Sequence, residues 1–247
     1  MSTQNKVAVV TGGSAGIGEA TARALANDGY TVVVAARRLE RCEDVAREID
    51  GVAVRLDVGD QGSVDKLRAK VDELGRCDVL VNNAGGAKGL DDFKDANLDD
   101  WAWMYEVNVL GTVRVTNALY PQLVASEGLI VNIGSVAAWE AYPGGAGYNA
   151  AKFGLRAATR AMRREEAGNP IRITEIDPGR VETDFSINRF KGDEARATQV
   201  YEGKMNLTAA DVAEAVRWVA SLPKHVNIDT LNIMPRAQAE GGQARQV

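Results

Sequence analysis

Tyr148 and Lys152 stand four residues apart in a stretch that reads as helical from about Gly147. On a helix that spacing puts them on one face, with Cβ atoms roughly 5–6 Å apart. Ser135 lies just past an apolar run, Leu129–Ile133, that reads as a buried strand, and a Gly- and Pro-containing loop separates it from the helix. A hydroxyl at that strand end can meet the helix face across the loop. The chemistry these groups suit is proton transfer to and from an alcohol oxygen. A free phenol has a pKa of about 10, too high for a base at neutral pH. An ammonium within about 4–6 Å favours the phenolate. A shift of roughly three units needs about 4 kcal/mol of differential stabilisation. Lys152 is expected to contribute this to Tyr148, and Ser135 to hold the substrate oxygen. Taken alone, Tyr-x-x-x-Lys is equally a chance pair on a helix surface.

The elements that must position these groups follow a regular alternation. Apolar runs at Val7–Thr11, Thr31–Ala36, Val52–Val58, Asp78–Asn82, Leu129–Ile133, Ile171–Ile176 and Val226–Ile233 read as strands. Helical stretches lie between them: a first to about Asn27, then Leu39–Ile49, one capped by Asp60 or Ser63, and Leu98–Val124 capped by Asn97. The Tyr148 helix runs to about Ala167, and another starts at Thr208 or Asp211. The polar segment 185–204 is expected to be irregular, with a short helix near Asp193–Tyr201. Strand–helix alternation of this kind predicts an α/β fold with a doubly wound parallel sheet of about seven strands. No linker or repeat divides residues 1–247, so one dinucleotide-binding catalytic domain is expected, with a lid at about 180–206 and a tail from 236.

The turn after the first strand is Gly12-x-x-x-Gly16-x-Gly18. Glycines there let the backbone approach a pyrophosphate, and the following helix N-terminus supplies N–H donors and partial positive charge. An acidic residue at the end of the second strand would take the free ribose of NAD. This chain has Arg37 and Arg38 instead, with Ser14 in the turn. A guanidinium suits the added phosphate of NADP through forked, charge-assisted hydrogen bonds.

Together, Ser135, Tyr148 and Lys152, the T-G-G-S-A-G-I-G turn, N-N-A-G at Asn82–Gly85 and P-G-R-V-E-T at Pro178–Thr183 resemble the short-chain dehydrogenase/reductase family over Lys6 to about Pro235. The resemblance implies a Rossmann-type fold, hydride transfer with NADP (NADPH), and Tyr148 as acid/base. It implies that Lys152, aided by a cationic cofactor ring, lowers the Tyr148 pKa and binds the nicotinamide ribose. Asn108 then positions a water in the proton relay. Gly12, Ser14, Gly16, Ile17 and Gly18 would hold the phosphates, and Asp57 and Val58 the adenine. Asn83, Ala84 and Gly85 would line the cofactor, and Pro178, Gly179, Val181 and Thr183 its nicotinamide end. The segments S-I-N-R-F-K-G-D, V-Y-E-G and H-V-N-I further resemble NADP-dependent serine and 3-hydroxy acid dehydrogenases. A substrate carboxylate would need a cation, and Arg180 and Arg189 are the candidates. Arg180 departs from the apolar residue more usual there. Ala15 departs from the basic residue often found in the glycine turn. A broad carbonyl reductase, a non-catalytic NADP-binding regulator, and an epimerase or dehydratase are the alternatives.

Composition is ordinary for a globular protein, with 45% hydrophobic and 26% charged residues. A net charge of −5 argues against a nucleic-acid partner. Two widely separated cysteines, Cys42 and Cys77, suggest reduced thiols and a cytoplasmic setting. The one histidine, His225, cannot anchor a metal site. Neither a signal peptide nor an apolar run of membrane-spanning length is expected. A homotetramer is implied by the resemblance.

Overall fold

The computed structural model describes residues 5–239. The strands are β1 (Val7–Thr11), β2 (Thr31–Ala36), β3 (Val52–Arg55), β4 (Val79–Asn82), β5 (Leu129–Ile133), β6 (Arg172–Pro178) and β7 (Thr230–Ile233). The helices are α1 (Gly16–Asn27), α2 (Leu39–Glu48), α3 (Gln61–Leu74), α4 (Leu98–Tyr105), α5 (Gly111–Ala125), α6 (Ala146–Glu165), α7 (Phe185–Arg189), α8 (Glu194–Tyr201) and α9 (Ala209–Ser221).

The described residues form one parallel seven-stranded sheet in the order β3-β2-β1-β4-β5-β6-β7. Side chains of a strand alternate between the two faces of its sheet, and both faces here are covered. Val9, Leu80, Ile130 and Ile173 pack with Val64 and Leu67 of α3 and Val115 and Leu119 of α5. Val10, Val81, Val131 and Ile176 pack on the other side with Ala22 and Leu25 of α1 and Val212 and Val216 of α9. This double burial is why the strands read as near-continuous apolar runs. The strand order reverses between β1 and β4, and ligands in such sheets bind at the carboxyl ends beside that point. Thr11, Asn82, Ile133 and Pro178 are the last residues of β1, β4, β5 and β6. The glycine turn, N-N-A-G, Ser135 and P-G-R-V-E-T therefore all emerge at this one edge.

Several boundaries differ from the sequence expectation. β3 stops at Arg55 rather than Val58, because the Asp57 carboxylate accepts from the Gly59 N–H and turns the chain toward α3. Asp60 caps that helix, accepting from the Gly62 and Ser63 N–H groups. The expected long helix from Leu98 is interrupted by a π-helical turn at Glu106–Leu110, within which Asn108 donates to the Met104 carbonyl. β7 begins at Thr230 rather than Val226. The Asn227 side chain bonds both the N–H and C=O of Ile173 in place of a strand backbone. The segment expected to be irregular with one short helix carries both α7 and α8. Thr208 and Asp211 form a reciprocal cap at the start of α9. The expected tail is described only to residue 239, and the remainder lies outside the described residues.

Candidate active site

A cleft of about 990 Å³ runs along the carboxyl edge of the sheet. Gly12, Ser14, Gly16 and Ile17 line it from the turn after β1, and Arg37 and Arg38 from the end of β2. Asp57 and Val58 follow β3, and Asn83, Ala84 and Gly85 follow β4. The cradle requires glycine in two places. A Cβ on Gly12, which sits at φ 66°, would lie 2.7 Å from the Asn83 amide nitrogen. A Cβ on Gly18 would lie 2.3 Å from the Gly12 carbonyl, so Gly18 supports the turn from beneath. Asn83 donates to the Thr11 and Gly12 carbonyls, which ties the β4 loop to the glycine turn. No side chain caps α1. Its first N–H groups therefore remain available to an anion. This donor set fits a dinucleotide.

Ser135, Tyr148 and Lys152 converge on the cleft, as do Pro178, Gly179, Val181 and Thr183 after β6. The Ser135 side chain stands near enough to that of Tyr148 to favour its phenolate. The Ser135 Oγ also accepts from the Ala137 N–H at 3.1 Å, within a short 3-10 turn at Val136–Ala138. Asn149 holds that turn from α6, donating to the Ala137 and Glu140 carbonyls. Tyr148 and Lys152 are 8% and 7% exposed, so desolvation governs both. Burial pushes the Tyr148 phenol above its ordinary value, and Tyr142 adds to this. The Ser135 side chain and the Arg189 guanidinium pull it back down. Burial brings the Lys152 ammonium down to about 8, opposed by Asp177 and Glu175.

Burial sets the direction of the Tyr148 shift in the chain by itself. The Lys152 Nζ lies 5.8 Å from the Tyr148 ring centroid and donates to the Ile133 carbonyl at 2.9 Å. Asn108 stands back from the cleft, 1% exposed. Its side chain donates to the Gly86 and Met104 carbonyls and accepts from the Gly86 N–H. Its own carbonyl accepts from the Thr112 hydroxyl.

The segment after β6 folds over the cleft. Its base is closed where Leu207 donates to the Arg180 carbonyl and Glu182 to the Leu207 carbonyl. Its far end docks on the loop after β4. Arg189 donates from Nε to the Gly89 carbonyl at 2.9 Å and from Nη1 to the Tyr142 hydroxyl at 3.2 Å. The guanidinium carbon lies 5.7 Å from the Tyr148 ring centroid, and Nη2 is buried without a hydrogen-bond partner among the described residues. The Phe185 ring, from the same segment, lies 5.7 Å from that of Tyr148. Arg180 also lines the cleft, but burial lowers its pKa and its Nη1 is likewise unpartnered.

Comparison with known proteins fits this geometry. The sequence model of the short chain dehydrogenase family matches residues 6–194. The chain belongs to that family. It is accordingly an enzyme of the oxidoreductase class. The chain is 53% identical over 242 residues to an uncharacterized oxidoreductase of Mycobacterium tuberculosis, covering 98% of this chain and 95% of the relative. It is 39% identical to the NADP-dependent 3-hydroxy acid dehydrogenase YdfG of Shigella flexneri, covering 96% and 97%. The closed form of a serine dehydrogenase complexed with NADP+ superposes with a TM-score of 0.92 at 38% identity, covering 97% of this chain and 98% of that one.

Within this short chain dehydrogenase, sequence reasoning passed over four contributors. Thr11 accepts from the Asn83 and Ala84 N–H groups and so aligns the β4 loop. Phe185 packs on Tyr148 from an otherwise polar segment that offered no signal. Glu175 and Asp177 are 1% and 0% exposed on β6. Two acids at alternate positions of an otherwise buried strand were the available signal, since they must share one face.

Proposed function

We propose that this protein is an NADP-dependent dehydrogenase that interconverts a small hydroxy acid, a 3-hydroxy acid or serine-like compound, with its carbonyl form. The observation that carries this reading is Arg189: a guanidinium 5.7 Å from the Tyr148 ring with one nitrogen buried and unpartnered among the described residues. A buried donor left without an acceptor is costly, and a substrate carboxylate would accept from it. The names of the relatives support the same substrate class.

The residues around the glycine turn, with Arg37 and Arg38 for the added phosphate, would hold NADP(H). When bound it supplies or accepts the hydride at the substrate carbon. Ser135 hydrogen-bonds the substrate oxygen. Tyr148, kept protonated by burial, donates its proton to that oxygen as the carbonyl becomes an alcohol, and takes it back in the reverse direction. Lys152 supplies the positive charge that stabilises the phenolate left behind and binds the nicotinamide ribose. Asn108, on the π turn beside Gly86, would position a water of the proton relay. Residues about 180–206 act as the lid, with Arg189 the first and Arg180 the second candidate for the carboxylate.

The protein is further read as a cytoplasmic homotetramer. Tyr105, Leu110, Val113 and Phe153 are exposed along α4, the π turn, α5 and α6, an apolar face that a second copy would cover. Among the described residues no helix is long and apolar enough to cross a membrane.

Steady-state assays with NADPH and NADH against 3-oxo acids and neutral ketones of matched size test the reading. It requires preference for NADPH and for the acids. Equal efficiency with neutral ketones would favour a broad carbonyl reductase, and no turnover at all a binding protein.

A further inference from the structure

Beneath Ser135 lie two buried carboxyl groups that the mechanism above does not use. A Cβ on Gly134 would lie 1.9 Å from Asp177 Oδ1 and 3.0 Å from Glu175 Oε1, so both groups converge on the residue preceding Ser135. Asp177 Oδ1 accepts from the Ser135 N–H at 2.9 Å, and Oδ2 from the Trp139 indole at 2.7 Å. Both ends of the turn bearing the Ser135 hydroxyl are thus held by one carboxylate. Among the described residues neither Glu175 oxygen has a donor. Two ionised carboxylates side by side in a dry site repel strongly, and such pairs retain one proton between them. The proton belongs on Glu175, since both Asp177 oxygens already accept hydrogen bonds; Glu175 O–H then donates to Asp177. The pair's upward-shifted titration, driven by burial and largest for Glu175, agrees with this assignment. Lys152 and Arg156 of α6 are the cations facing the pair, and Tyr148 lies within reach of the Asp177 charge. Asn132 of β5 and Thr230 of β7 flank Glu175 in the sheet and carry no charge.

We propose that Asp177, kept ionised by a proton held on Glu175, is a positioning residue for catalysis: it fixes the Ser135 turn and supplies the buried anion that keeps Lys152 charged. The inference rests on the roles given to Ser135 and Lys152 above.

Glu175→Gln replaces the shared proton with an amide donor and is the central test. A carboxyl whose folded pKa lies above its unfolded value of about 4.3 makes the fold lose stability as pH rises between the two. Gln escapes that loss. The melting temperature of Glu175→Gln should therefore rise relative to wild type between about pH 5 and pH 8, measured without substrate. A gap that does not change with pH overturns the shared proton. Glu175→Leu, which leaves Asp177 without its donor, should lower kcat about 10-fold, and Gln should recover most of that loss; equal loss in both contradicts the proposal. Asp177→Asn should lower kcat by about 10²-fold, the order reached when a catalytic group shifts by about 1 Å. Its alkaline limb should move to lower pH as Lys152 loses its anion; wild-type kcat with an unmoved limb overturns the positioning role. If Asp177→Asn does not fold, the Glu175 variants decide. An active Tyr148→Phe would sink the catalytic reading while leaving the substrate-free stability result to stand or fall by itself.

Discussion

Lys152 Nζ donates to the Ile133 carbonyl at 2.9 Å, tying α6 to the last residue of β5. The ammonium lies 5.8 Å from the Tyr148 ring centroid, buried, with its pKa brought to about 8. A lysine lowered from its unfolded value of about 10.4 burdens the fold while the buried ammonium persists, and the burden lifts between about pH 8 and pH 10. The unfolded chain binds more protons in that window, so wild-type stability rises with pH there. The melting-temperature difference between Lys152→Met and wild type should accordingly fall from about pH 8 to about pH 10. A constant difference would mean that Lys152 titrates normally.

Tyr148→Phe removes only the hydroxyl that faces Ser135. Loss of general acid–base catalysis typically costs about 10²–10⁴-fold in rate. The variant should lose at least that in kcat while binding NADPH as the wild type does, read by cofactor fluorescence. Turnover near wild type would remove Tyr148 from its role.

Arg37 and Arg38 are exposed at the rim of the cleft. Replacing both with Ala should weaken NADPH far more than NADH, because only the former carries the extra phosphate. Salt should narrow the wild-type preference, since exposed charge contacts are screened. Equal weakening of both cofactors, measured by titration, would trace the effect to folding.

Arg189 both bonds the segment after β6 to Gly89 and faces Tyr148. Arg189→Ala should lower kcat/KM for a hydroxy acid by about 2–5 kcal/mol, the range for truncating one side of a buried charge pair. The loss for a neutral alcohol of similar size isolates the docking contribution and should be much smaller. Matched losses would assign Arg189 to the Gly89 contact alone.

Phe153 is 44% exposed on the outer side of α6. Phe153→Asp should lower the mass found by light scattering at micromolar concentration if that face pairs copies of the chain. A wild-type monomer under the same conditions would end the oligomer reading.

Features that depend on neighbours along the chain were legible before any coordinates. The buried strands showed as apolar runs because both of their faces are covered. The glycine turn was readable because its backbone has no room for a Cβ at Gly12 or Gly18. Tyr148 and Lys152 share a face because helix geometry dictates it at that spacing. The Asp60 and Thr208 caps were each one of two local candidates. Tertiary structure decided what depends on distant segments meeting. Arg189 reaches Gly89 across 100 positions, and Asp177 reaches Ser135 across 42. The balance at Tyr148 was decided there too. Sequence spacing brought an ammonium near a phenol, but only packing sets how dry both become.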